Sequence, residues 1–229
     1  GLPSEHGLLA KAIETAQRRV EAQNFESRKH LLEYDDVMNR QREVIYEQRR
    51  RMLEGVGIRE LVEAIIDEVS HELVLTYAPK DAHGDAWDRE GLKTVLSRQF
   101  GVEVDAEALQ VGDREILAER LTERLTAAYQ AKEQQVGSEA TRQLERNLLL
   151  AVTDAKWKDH LYMMDALREG IHLRAYGQRD PLVEYQHEAY AMFQSMIGVI
   201  KTDALAMLLR VQPRVEAQPL SVFARTPQQ

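Results

Sequence analysis

The chain has 229 residues, 30% of them charged and 6% aromatic, with a formal net charge of −8 and no cysteine. The acidic balance argues against broad nucleic-acid binding, which needs a basic footprint, and the missing thiols exclude disulfides and thiolate metal sites. Helix formers dominate and no stretch reads as a strand bounded by turn signals, so an all-α fold is expected, with no spanning helix and no signal peptide.

The first predicted element is one very long helix. Neither glycine nor proline occurs from Leu8 to Glu54, far beyond the usual helix of about 11–12 residues. Ser4 is placed to cap it, and Gly55 and Gly57 to stop it just after the cationic Arg49, Arg50 and Arg51, a favourable charge for a helix C-terminus. Leu9, Ile13, Ala16, Val20, Leu31, Tyr34, Met38, Ile45 and Met52 recur at three- and four-residue spacing, interrupted by Asn24, Ser27 and Arg49. A coiled-coil seam would be cleaner. The pattern suits a rod that meets different neighbours along its length.

A second helix is predicted over 58–77, with an apolar face of Ile58, Leu61, Val62, Ile65, Ile66, Val69 and Leu73. A loop at 78–87 precedes a short helix carrying Leu92, Val95, Leu96 and Phe100, which Gly101 ends. A linker with Val102 and Val104 leads to a helix at about 113–136. Residues 55–137 together read as a compact helical insert. An αα-hairpin follows. Its first arm, 138–168, carries Leu144, Leu148, Ala151, Val152, Ala155, Leu161, Met164 and Leu167, and Gly170 is placed to close it. Asp180 and Pro181 open the second arm as cap and first helical residue. Residues 182–211 then carry an apolar series from Tyr185 to Leu209. The tail, 213–229, has three prolines and no apolar period, and is expected to be mobile.

Catalytic chemistry is hard to find. The dipeptide Gly-Lys of a phosphate-binding loop never occurs. Asp35 and Asp36 are neighbours on a helix, so their side chains diverge by about 100° and read as salt-bridged surface residues. Asp81, His83 and Asp85 offer weak cation ligands in what is more simply a polar turn. Asp159 and His160 sit mid-helix beside Trp157, where a lone histidine usually packs. The hairpin loop is more informative. Ile171, Leu173 and Tyr176 lie there among Arg168, Arg174 and Arg179. Apolar, aromatic and cationic groups together suit contact with a partner or an unfolded chain. The other reading is that Ile171 and Leu173 fold back to plug the end of the hairpin.

Two strings carry a family resemblance. NFESRKHLLEYDDVMNRQREVIYEQR (24–49) resembles the long scaffold helix of the SecA family of bacterial protein-translocation motors. WKDHLYMMDALREGIHLRAYGQRDPLVEYQHEAYAMFQSM (157–196) resembles that family's two-helix finger. The stretch between them is similar to its helical wing domain. The resemblance implies scaffold helix over 1–54, wing over 55–137, finger over 138–212 and a flexible tail over 213–229. It implies a C-terminal fragment without the ATPase and preprotein-crosslinking domains, inactive as an enzyme alone. No cofactor is expected here, ATP and Mg belonging to the parent motor. Implied partners are those missing domains, a SecY-type channel and the preprotein. Localisation is expected to be cytoplasmic, peripheral to the inner face of the plasma membrane. Ile171, His172, Leu173, Arg174, Tyr176, Gln178 and Arg179 are the implied polypeptide or channel contacts, with Tyr176 matching the family's bulky tip residue. The finger is also expected to restrain ATP hydrolysis, and the bare rod to favour self-association. The competing reading is a stand-alone helical adaptor without catalysis.

Overall fold

The computed structural model describes residues 3–80, 86–174 and 180–211. The fold is all-α: one very long helix, a small helical insert and a long antiparallel helix pair. The long helix, α1 (Pro3–Glu54), is roughly 80 Å long at the α-helical rise. It starts at Pro3, so Ser4 lies inside its first turn rather than capping it, and proline takes the first-turn place where its missing N–H costs nothing. Gly55 and Gly57 end it at φ 72° and 70°, the left-handed region that glycine enters without a side-chain clash.

The insert contains α2 (Ile58–Tyr77), α3 (Arg89–Val95) with a wider π turn over Leu96–Phe100, a short 3-10 turn at Ala106–Leu109, and α4 (Arg114–Val136). Its core joins Val62, Ile66 and Val69 of α2 to Leu92, Leu96, Phe100, Leu117, Leu121 and Leu125, all nearly solvent-free. Val102 and Val104 of the linker are buried in the same core. Asp113 accepts from the Glu115 and Ile116 amides to cap α4, and Arg89 clamps the 109–111 turn through the Leu109 and Val111 carbonyls.

The hairpin is α5 (Ser138–Arg174) and α6 (Pro181–Arg210). Asp180 accepts from the Leu182 amide at 2.9 Å, with Pro181 as first helical residue, so the cap and start of α6 match the sequence reading. The end of α5 does not. The helix runs through Gly170 to Arg174, and the connection is correspondingly shorter. One interior glycine costs a helix only about 1 kcal/mol, which burial of the next residue, Ile171, offsets. A β-carbon on Gly170 would meet nothing within 4 Å. Gly170→Ala is therefore expected to raise stability by about 0.5–1 kcal/mol, read as a higher urea midpoint with an unchanged slope.

By length and composition α6 is apolar enough to cross a membrane, against the sequence expectation. Its place explains this: Tyr185, Ala189, Phe193, Met196, Ile200, Leu205 and Leu208 are buried between α5, α1 and the insert. The far end of α6 is held by the insert. Lys132 donates to the Leu209 carbonyl at 3.0 Å and Arg210 to the Arg98 carbonyl at 3.1 Å. The tail over 213–229 lies outside the described residues.

Among the described side chains, the buried residues of α1 all lie in its second half. Tyr34, Gln41, Ile45 and Met52 are buried against the hairpin and insert. Ile13, Val20, Phe25, Leu31 and Leu32 stand 50–69% exposed. Of the apolar stripe read along the rod, Tyr34, Met38, Ile45 and Met52 are thus covered, and Ile13, Ala16, Val20 and Leu31 are bare.

Candidate interaction site: the hairpin end and the long helix

The end of the hairpin rests on the rod through a small cluster. Ile171, fully buried, packs with Met164, Leu167, Tyr185, Ala189 and Tyr34. The Tyr34 and Tyr185 rings meet edge to face with centroids 4.8 Å apart, a favoured aromatic geometry. Burial raises the pKa of both phenols. Beside the cluster Arg168 donates to Asp35 at 3.0 Å, and Asp36 pairs with Arg40 one turn along at 2.7 Å. The two aspartates are surface ion-pair partners on separate bearings.

This burial corrects one expected contact residue. Ile171 faces α1 and α6 rather than a partner, because α5 continues four residues past Gly170 and turns it inward at the spacing of Met164 and Leu167. His172, Leu173 and Arg174 form the last turn of α5; their side chains, and the whole of Tyr176, Gln178 and Arg179, lie outside the described residues. So do Asp81, His83 and Asp85. Among the described residues no group of three or more histidines or carboxylates is placed to hold a metal.

Deeper along the rod a polar bridge crosses the apolar seam. Gln41 donates from Nε2 to the Ala189 carbonyl of α6 at 3.1 Å, and its Oε1 lies 2.8 Å from His160 Nε2 on α5. The imidazole is fully buried. Trp157 stacks on it at 5.5 Å and Phe193 tilts against it at 5.8 Å. Its Nδ1 is buried without a hydrogen-bond partner, and burial lowers its pKa. A lowered histidine pKa means that the unfolded chain takes up the proton first. Its contribution to stability is therefore whole above about pH 6.5, and is lost as pH falls from there toward the folded value. Subtracting the urea stability of His160→Gln from that of the natural chain should give a difference that shrinks below pH 6.5, by at most about 1.4 kcal/mol per pH unit. A difference independent of pH would contradict the assignment.

A second buried network roots the hairpin in the insert. Arg142 Nη2 donates to the Tyr129 hydroxyl at 2.6 Å, to Glu145 at 2.9 Å and to Glu133 at 3.0 Å. The Tyr129 hydroxyl donates to Glu145 at 2.8 Å. Glu145 is 1% exposed, and burial raises its pKa, opposed by Tyr129 and Arg142. Burial, then the hydrogen bond to Glu145, holds the Tyr129 phenol well above its usual range. Arg59 of α2 reaches Glu133 as well, at 3.4 Å.

Outward-facing apolar side chains also lie on the hairpin: Tyr162, Met163, Val183 and Tyr190 are 44–66% exposed. Apolar spacing alone does not mark them. Tyr190 falls one position off the buried α6 stripe of Tyr185, Ala189 and Phe193, and that offset is the signal that separates it from the core.

Comparison with known proteins agrees with this architecture. The family model described as the SecA wing and scaffold domain matches residues 3–212. The protein translocase subunit SecA of Pelotomaculum thermopropionicum is 48% identical over 225 residues, covering 95% of this chain and 25% of that protein. Those of Heliobacterium modesticaldum and Nitrosococcus oceani are 46% and 44% identical, over 92% and 93% of this chain and 25% and 24% of theirs. The chain spans about a quarter of the length of the curated relatives it matches. With an all-α rod, insert and hairpin carrying that match from end to end, the chain belongs to the SecA family as a wing and scaffold segment.

Proposed function

We propose that this chain is the scaffold and polypeptide-contacting finger of a bacterial protein-export motor. In this reading α1 is the scaffold helix, 55–137 the wing, the hairpin over 138–212 the finger, and 213–229 a flexible tail. The bare half of α1 receives the ATPase and preprotein-crosslinking domains, which hold ATP and Mg. The end of the finger beyond Ile171 meets the preprotein at the mouth of a SecY-type channel, on the cytoplasmic face of the membrane. His172, Leu173, Arg174, Tyr176, Gln178 and Arg179 are the contacts. An aromatic ring and flexible cations grip many sequences, as a shaped pocket would not.

The observation that carries this reading is the contrast along the rod. Tyr34, Gln41, Ile45 and Met52 are sealed against hairpin and insert, while Ile13, Val20, Phe25, Leu31 and Leu32 stand at least half exposed. A helix polar all round would need no neighbour, whereas exposed apolar side chains in a row mark a contact face. Alone in solution this face is expected to drive self-association. The test mixes the chain with the nucleotide-binding part of a SecA relative. Stoichiometric binding and a lower basal rate of ATP hydrolysis are expected. Binding should weaken when Val20, Phe25 and Leu31 are replaced by serine. No binding, or binding indifferent to those replacements, would favour a separate adaptor.

A further inference from the structure

Outside the hairpin end, the least expected feature of the molecule is an amide placed where its helix otherwise buries hydrocarbon. The inward positions of α1 run Tyr34, Met38, Gln41, Ile45 and Met52, and Gln41 is 7% exposed. A methionine or leucine there would extend the apolar seam. The amide instead reaches both arms of the hairpin at once, at 3.1 Å and 2.8 Å.

The bonding is fully determined. The Ala189 carbonyl can only accept, so the Gln41 amide nitrogen faces it and Oε1 faces His160. Oε1 can only accept in turn, which assigns the proton to His160 Nε2. A half-turn of the ring about Cβ–Cγ would bring Cε1, not Nδ1, to Oε1, so the bond belongs to Nε2. One orientation of one amide therefore fits one rotamer and one tautomer of one histidine.

An apolar seam alone lacks this selectivity. Its side chains repeat at every turn, so rolling or sliding the rod partway costs little when Met38 or Ile45 can take the place of a neighbour. Such a shift strands Gln41 and His160 without partners in a dry seam, which is unfavourable. Buried polar contacts of this type fix register at some expense of stability. The insert anchors the C-terminal end of α1 through Met52 and Ile58. Toward the hairpin end the Tyr34, Tyr185 and Ile171 cluster and the Arg168–Asp35 pair hold rod and hairpin together.

We propose that Gln41 and His160 are positioning residues: a polar pin that restricts the outer half of the hairpin to a single packing against the long helix. In the function proposed above, the pin sets the direction in which the finger end points. That consequence rests on the functional reading, but the pin is tested on the chain alone, so the two can fail separately.

The absence of cysteine permits clean double labelling. Spin labels at Leu32→Cys on α1 and Tyr190→Cys on α6, both exposed, report the distance between rod and hairpin. Diluted with unlabelled chain, so that self-association adds no distances, the natural pair should give one narrow distance distribution. The double variant Gln41→Met/His160→Phe, which leaves neither side chain stranded, should broaden it at least twofold or split it, while the melting temperature holds or rises. A distribution as narrow as the natural one in that variant overturns the proposal. So does broadening that comes only with a lowered melting temperature, which marks a merely structural role.

Discussion

Replacing Arg142 with alanine is expected to cost the fold about 3 kcal/mol, the largest single effect outside the apolar core. For a chain of this size that is a fall of roughly 6–12 °C in melting temperature. The reason is what remains behind. Glu145 is 1% exposed, and its Oε2 already lacks a partner. Without the guanidinium its carboxylate keeps only the Tyr129 hydroxyl. The cost should shrink as pH falls. Burial already raises the Glu145 pKa, so the folded variant takes up a proton before the unfolded chain does, and stability returns toward the unfolded carboxylate value of about 4.3. Replacing Arg142 and Glu145 together with methionine should recover much of the loss, since a buried ion pair is often no better than hydrocarbon of the same size. Urea melts at pH 7 and pH 5 check both points. An equal loss at both pH values, or a double variant as weak as the single one, would show that Arg142 acts by packing on Tyr129, whose ring lies 5.8 Å from its guanidinium carbon.

The second large effect is at the hairpin end. Ile171→Ala removes buried hydrocarbon from a small cluster and is expected to cost about 2–4 kcal/mol. The loss should be felt locally. The cluster is separate from the main core, and local opening of a weakly held unit is easier than global unfolding. Amide hydrogen exchange over 165–174 should accelerate at least tenfold, while protection in α2 and α4 stays unchanged. The edge-to-face Tyr34–Tyr185 pair supplies a second signal, a weaker near-ultraviolet circular dichroism band. Unchanged exchange over 165–174 would place Ile171 outside the forces that hold the hairpin to the rod.

How far the sequence discloses this arrangement depends on the residue. Helix punctuation is legible: Gly55, Gly57, Gly101, Asp180 and Pro181 each end or begin a helix as their conformational preferences dictate. Gly170 misleads, because a glycine with space around it is tolerated where the next residue has a core to enter. The inward face of α5 is hidden for a different reason. Apolar spacing selects Ala151 and Ala155, which are exposed, whereas the buried line passes through Glu145, Leu149, Thr153, Trp157, His160 and Met164. Polar members of a core are invisible to an apolar period until their partners are known. Tyr129 and Gln41 lie 16 and 119 positions away from the side chains they satisfy, and no spacing rule spans that gap. The rod shows the converse. Its stripe is apolar over both halves, but sequence alone does not say that one half finds its cover within this chain and the other does not.

We propose that the hairpin is held to the rod from Ile171 inward and offers the residues beyond Ile171 to a moving polypeptide. The most direct measurement places a photo-crosslinking amino acid at Tyr176 in a complete motor carrying this segment, engaged with a channel and a stalled preprotein, with Tyr162 on the outer face of α5 as comparison. Adducts to the preprotein from position 176 are expected to depend on translocation, with far fewer from position 162. Preprotein adducts from 162 with none from 176 would contradict the proposal.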